Sequence, residues 1–276
     1  MKQKRKISTP KTFRIPVHFV DPYLKNPTNP ITVNVIGAGG TGSHVLGTLG
    51  ALHQALRAYD HPGLHVTVFD EKHVTNANIG RQAFFDSEIG LNKAVAIISR
   101  INRACGTNWK AIKKNWTPAR MEEISGHLFA NLIISCVDTA TARFDIAKML
   151  KTNRSSYHGP QNPLYWIDFG NSRFTGQVLL APLIKIKQPA SRKFLPRSFW
   201  DWPTSEFKEQ WAAADDRNEP SCSLAQSLQQ QGLYINRSLA QMGGMLIESL
   251  FREPYITYRG FFLNLADFTA NPLRIE

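Results

Sequence analysis

The chain is 276 residues long, with 42% hydrophobic and 20% charged residues, a balance that supports a sizeable core and excludes a disordered polyelectrolyte. Three cysteines, Cys105, Cys136 and Cys222, are too few and too scattered for a disulfide framework, and no paired-cysteine spacing occurs, so no structural zinc is expected. The net charge of +12 favours a polyanionic or acidic partner by long-range attraction.

Lys2, Lys4, Arg5, Lys6, Lys11 and Arg14 all precede the first acid, Asp21. This basic start leads into Ser, Thr and Pro rather than an apolar stretch, and no apolar run approaches the ~18 residues of a membrane span. Neither a secretory signal nor a membrane association is expected, and the setting is read as cytoplasmic. Charge alone carries no sequence readout and no nucleic-acid-binding module follows the tail. A solvated arm, or a surface for an acidic protein, explains the charge at least as well as nucleic acid, which stays open.

Residues 1–30 carry prolines at 10, 16, 22, 27 and 30, which interrupt any long helix. They read as a basic extended arm with one edge strand near 12–20. From residue 31 the pattern alternates. Ile31–Ile36 is an apolar strand ending at Gly37, and Ser43–Ala58 has helical spacing. His65–Phe69 is a second strand, Leu91–Arg103 a helix, and Trp109–Ile112 a weaker strand followed by a helix near Ala119–His127. Asn131–Cys136 is a strong buried strand and Thr141–Lys151 a helix. Leu164–Phe169 and Gly176–Ala181 read as strands around a Gly/Asn/Ser turn.

Residues 185–220 show no convincing periodicity, and a loop this long is usually functional or mobile. Leu224–Phe251 reads as a long helix with a soft spot at Gly243-Gly244, and Ile256–Leu265 as a last strand. The expected fold class is α/β, a Rossmann-like, mostly parallel sheet with helices on both faces and a C-terminal strand-and-helix extension. The division is a basic arm (1–30), a nucleotide-binding domain (31–184), a crossover loop (185–222) and a C-terminal helix and strand completing the same domain (223–276).

Gly37-Ala38-Gly39-Gly40-Thr41-Gly42 fits G-x-G-x-x-G between a strand and a helix. Gly37 allows the tight turn, Gly39 the approach of a phosphate, and Gly42 the packing of helix on strand. The helix N-terminus offers free N–H groups to an anion. Asp70, 28 residues past Gly42 against the usual ~20, ends the next strand, where an acid can hold ribose hydroxyls. Asp138 follows a third strand, so three candidate groups gather at the carboxyl ends of parallel strands. An acid there suits magnesium bridging phosphates, which points to ATP rather than NAD. Asn78 and Arg81 would share one face of any helical turn, and Lys93 sits in the first turn of a helix, where an anion would offset its unfavourable position.

In this order, Gly37-Ala-Gly-Gly-Thr-Gly-Ser43, Asp70, Asn78-Ile-Gly-Arg81-Gln82, Ile89-Gly90-Leu-Asn-Lys93-Ala94 and Cys136-Val-Asp138 resemble the ThiF/MoeB/HesA family, bacterial relatives of ubiquitin-activating enzymes. The match covers roughly residues 31–180. Cys222-Ser-Leu-Ala and the following helix, through Asn236 and Gly244, look like a branch found in ParB-related, ThiF-related plasmid cassettes. The resemblance implies a homodimeric enzyme using ATP and Mg2+ to activate the C-terminal glycine carboxylate of a ubiquitin-like or sulfur-carrier protein, releasing pyrophosphate. It maps Gly37, Gly39, Gly40 and Gly42 onto the nucleotide loop and Asp70 onto the ribose. Asn78, Arg81 and Lys93 map onto the phosphates with Gln82 nearby, Asp138 onto magnesium, and Cys222 onto an acyl acceptor.

Three departures stand out. No Cys-x-x-Cys pair is present, and Lys72 occupies a position where the family usually has a second acid. The N-terminal arginine motif that reaches the partner subunit is not recognisable, with Arg14 as the available substitute. Alternatives are adenylation of a small-molecule or nucleoside carboxylate, a nucleotide-binding scaffold without turnover, and a dinucleotide oxidoreductase. The last leaves Arg81, Lys93 and Asp138 without a role.

Overall fold

A computed structural model describes residues 14–153, 162–212 and 232–276. Its centre is an eight-stranded sheet. In chain order the strands are β2 (Ile31–Ile36), β3 (Leu64–Phe69), β4 (Lys110–Ile112), β5 (Leu132–Ser135), β6 (Tyr165–Asn171), β7 (Thr175–Pro182), β10 (Tyr258–Asn264) and β11 (Thr269–Arg274). A small second sheet joins β1 (Ile15–Phe19), β8 (Phe194–Pro196) and β9 (Tyr255–Ile256). The large sheet runs β11-β10-β7-β6-β5-β2-β3-β4. Strands β4, β3, β2, β5 and β6 are parallel, whereas β7, β10 and β11 extend the sheet antiparallel.

The parallel strands are nearly continuous apolar runs because helices cover both faces. On one face lie α1 (Gly40–Ala58), α2 (Lys93–Cys105) and the C-terminal helix α6 (Ile235–Arg252); on the other lies α3 (Ala140–Thr152). Helix α2 begins at Asn92, whose Oδ1 accepts the Val95 N–H at 3.2 Å, and ends at Gly106 in the left-handed region (φ 64). A side-chain N-cap and a glycine stop are the usual delimiters of a helix. Chain order turns back at β2: β3 and β4 follow on one side, β5 and β6 on the other. Ligands of open α/β sheets bind at such a reversal, beyond the strands' carboxyl ends.

Several segments differ from the reading of the sequence. Residues 185–212 carry β8 and two short helices, α4 (Pro203–Glu206) and α5 (Lys208–Ala212). His18 ties β1 to them: its ring donates from Nδ1 to the Arg197 carbonyl at 2.6 Å and pairs through Nε2 with the Tyr165 hydroxyl at 2.8 Å. Residues 118–127 form two 3-10 turns rather than an α-helix. Gly243-Gly244 is no soft spot, because α6 passes through it unbroken. A methyl group at Gly243 would overlap the Phe169 ring, and one at Gly244 would overlap Thr48 of α1. The two glycines therefore let α6 lie close on the sheet and on α1. The first part of the expected C-terminal helix, residues 224–231, lies outside the described residues.

Candidate functional site

The glycine loop closes the gap between β2 and α1 at the reversal point. Gly37 has φ 94, a conformation few L-residues adopt, and a Cβ there would stand 2.8 Å from the Cys136 carbonyl oxygen. A Cβ on Gly42 would overlap the Gly37 carbonyl, whereas one on Gly39 would meet nothing within 4 Å. Gly37 and Gly42 are thus demanded by the fold, and Gly39 faces open space. Burial pushes the Cys136 thiol up, away from reactivity.

Helix α6 braces this loop. The Thr41 hydroxyl lies 2.8 Å from Asn236 Oδ1 and 3.2 Å from Asn171 Oδ1, and the fully buried Asn236 side chain fills the space a Cβ on Gly40 would need. The first turn of α1 also holds the segment that carries Arg81 and Gln82. Ser43 Oγ accepts the Ala83 N–H at 3.0 Å, and His44 Nε2 lies 3.3 Å from the Arg81 carbonyl.

Asp70 stands just past β3, 7% exposed. Its Oδ2 accepts the Ala38 N–H at 2.7 Å and its Oδ1 the Lys72 N–H at 2.8 Å. It therefore fastens the glycine loop to the end of β3. Each carboxylate oxygen retains a lone pair for another donor.

Asn78 closes a 3-10 turn (Asn76–Asn78), its Oδ1 accepting the Thr75 N–H at 2.9 Å. The expected helical turn stops there. Gly80 has φ 82, so Arg81 is carried by an irregular segment rather than on the same helical face as Asn78. Burial lowers the Arg81 pKa from its ordinary value. Gln82 is buried, and its Oε1 has no hydrogen-bond partner among the described residues. A buried acceptor left unpaired costs ~1–3 kcal/mol unless water or a ligand supplies a donor.

Lys93 opens α2 and is only 6% exposed. Its Nζ makes no hydrogen bond to any described residue. Burial lowers its pKa, Asp70 and Asp138 pull it up, and Lys72 and Arg81 push it down. A cation at a helix N-terminus works against the helix dipole, and an anion bound there would offset that cost.

Asp138 follows β5 and points outward, its Oδ2 3.4 Å from Lys72 Nζ. The backbone around it is held by residues that sequence reasoning missed. Arg143 of α3 donates from Nε to both oxygens of Asp168, at 3.1 and 3.0 Å, and Asp168 is 0% exposed. Its Nη1 donates to the Thr139 carbonyl at 3.2 Å, and its Nη2 to Val137 and Phe169 at 2.9 and 3.0 Å. Ser135 and Trp166 complete the network: Ser135 Oγ donates to Asp168 at 2.5 Å and accepts from Trp166 Nε1 at 2.7 Å. The signal was an acid inside an otherwise apolar strand, since a buried charge demands a partner.

The donor set fits a divalent metal poorly. Among the described residues no group of three or more His, Cys, Asp or Glu side chains could hold a metal ion. Asp138 already faces Lys72, and both Asp70 oxygens accept N–H groups. Arg14 immediately precedes β1 of the small sheet and donates from Nη1 to the Ser191 carbonyl at 3.2 Å. Cys222 falls outside the described residues. Among the described residues no helix is long and apolar enough to cross a membrane.

A search of curated proteins finds no match. Among solved structures, selenomethionine PaaA aligns with a TM-score of 0.55 at 16% identity, over 89% of this chain and 64% of that one. Escherichia coli MccB with ATP aligns with a TM-score of 0.54 at 13% identity, over 91% of this chain and 64% of that one. The chain thus spans under two thirds of the length of these structures, and at such identities they speak for the fold alone. The family model described as "ThiF family" matches residues 26–267, a span that takes in the glycine loop, Asp70, Lys93, Asp138 and α6: the chain belongs to the ThiF family.

Proposed function

We propose that the chain binds ATP at the sheet reversal and uses it to adenylate a carboxylate, releasing pyrophosphate. The observation that supports this most is Lys93, a residue only 6% exposed whose ammonium makes no hydrogen bond to any described residue and feels the glycine loop's acid Asp70. A polyphosphate supplies the negative charge that such a position lacks. The solved MccB structures include one with ATP and one with AMPCPP and MccA, which is in keeping with a nucleotide site that meets a second molecule.

In this reading Gly37, Gly39, Gly40 and Gly42 present the loop and the α1 N-terminus to the phosphates. Asp70 holds the ribose. Asn78, Arg81 and Lys93 grip the phosphates, with Gln82 beside them and Asp138 at the phosphate edge. The substrate carboxylate is itself the nucleophile, attacking the α-phosphorus as pyrophosphate leaves. The protein's work is positioning and charge stabilisation, and no catalytic base is needed. Magnesium accompanies ATP in this family generally.

The acyl substrate we favour is the C-terminal glycine carboxylate of a small, acidic ubiquitin-like or sulfur-carrier protein, which the net charge of +12 would attract. The enzyme is proposed to act as a homodimer in the cytoplasm. Transfer of the acyl group to Cys222, the thiolate displacing AMP, is a separable second step. The test is ATP–pyrophosphate exchange with the candidate partner. Arg81→Ala should depress exchange, since a charge-assisted phosphate contact is worth ~1.5–3 kcal/mol. Cys222→Ser should retain exchange and lose any covalent adduct. Wild-type exchange persisting at full rate in Arg81→Ala would refute the site.

A further inference from the structure

This inference rests on the nucleotide reading and concerns what neutralises the phosphates. Asp138 is the outward carboxylate at the carboxyl end of β5, and Lys72 Nζ already faces it at 3.4 Å, with the two side chains 63% and 60% exposed. Two other acids near the loop are engaged. Both Asp70 oxygens accept backbone N–H groups, and Asp168 is sealed by Arg143. Glu71 is exposed and lies within the electrostatic reach of Arg120.

Lys72 is not a loosely placed surface lysine. Its N–H donates to Asp70 Oδ1 at 2.8 Å, and its carbonyl accepts from the Lys93 N–H at 2.9 Å and from Asn92 Nδ2 at 3.2 Å. The Lys72 backbone is therefore fixed between the end of β3 and the first turn of α2. The Lys93 ammonium feels both the Lys72 ammonium and the Arg81 guanidinium. Magnesium at a nucleotide takes one or two protein carboxylates, while phosphates and waters supply its other oxygens. Here the carboxylate at the strand end, Asp138, already faces a resident ammonium, which the metal would have to displace.

We propose that Lys72 is a built-in cation that competes with the divalent metal for Asp138. The protein then holds the triphosphate mainly through Lys72, Arg81 and Lys93, and gains little from magnesium. The exposed Lys72–Asp138 pair contributes little to folding, so variants at Lys72 retain the fold.

The experiment is calorimetric titration of the full-length chain with ATP, once in EDTA and once in excess Mg2+, for wild type, Lys72→Ala and Lys72→Glu. The quantity read is the ratio of the two dissociation constants. In wild type the ratio stays within about threefold, and Lys72→Ala raises it by about twofold to fivefold, the range of an exposed ion pair. Lys72→Glu supplies a second carboxylate and raises it by about tenfold or more. The same ratio in all three proteins, with ATP bound by each, overturns the role of Lys72 and leaves the nucleotide reading standing. No ATP binding by wild type in either buffer overturns the nucleotide reading, and this inference with it.

Discussion

Arg143→Met is the perturbation whose consequences can be worked out furthest. It removes five donor contacts: two to Asp168 and one each to the carbonyls of Val137, Thr139 and Phe169. Asp168 is 0% exposed and would keep Ser135 as its remaining side-chain donor. Breaking one side of a buried ion pair costs about 3–5 kcal/mol, because the other charge stays buried and uncompensated. At ~2–4 °C per kcal/mol for a chain of this size class, the melting temperature should fall by about 6–20 °C.

A second variant separates the charge from the scaffold. Arg143→Met with Asp168→Leu removes both charges, and replacing a buried pair by apolar groups is often close to neutral. Thermal stability should largely return. Affinity for ATP should not, because the carbonyls of Val137 and Thr139 still lack the guanidinium that fixes Asp138 between them. Differential scanning calorimetry reads the first quantity and isothermal titration the second. A single variant that melts with wild type would refute the buried-pair argument. A double variant that regains wild-type affinity would refute the positioning role.

Two further outcomes follow from the same geometry. Gly39→Ala should melt like wild type, since its Cβ meets nothing within 4 Å, yet bind ATP at least about tenfold more weakly, since the methyl takes the space in which the phosphate approaches. Gly42→Ala should instead destabilise the fold, its methyl overlapping the Gly37 carbonyl. Equal effects of the two on melting would contradict the division of roles within the loop. ATP affinity should also fall at alkaline pH. Burial lowers the Lys93 pKa, bound phosphates favour its charged form, and so binding takes up a proton once pH exceeds the free protein's value. Affinity then declines by about tenfold per pH unit. Lys93→Arg, which does not titrate there, should flatten the profile; an unchanged profile would exclude Lys93 as the group responsible.

Much of the fold was legible because its strands are buried on both faces. Ile31–Ile36, His65–Phe69 and Asn131–Cys136 stand out as apolar runs bounded by Gly, Asp or a Cys-Val-Asp stop, and helix Leu91–Arg103 by its apolar face. Strand β11 was not legible. Thr-Ala-Asn-Pro-Leu-Arg is polar and holds Pro272, which survives in a strand only at an edge. Strand β8 is three residues long and gains its identity only by pairing with β1, a contact no local pattern announces.

The candidate site divides in the same way. The glycine loop and Asp70 are legible because they sit at strand ends, where the need for a turn and an acid is local. The Arg143–Asp168 pair and the Lys72–Asp138 pair are contacts between separate elements. Their sequence traces are only an acid within an apolar strand and a lysine beside an acid. Asn236 braces Gly40 and Thr41 from far along the chain, a contact that no local pattern announces, although the family resemblance singles out Asn236.

The reversal point of the sheet is proposed as an ATP site. Calorimetric titration of the purified chain with ATP and, separately, with NADH is the decisive measurement. An ATP site there gives saturable ATP binding that weakens in Arg81→Ala and in Gly39→Ala, and no heat of binding from NADH. Saturable NADH binding with no response to ATP would contradict it and return the glycine loop to a dinucleotide.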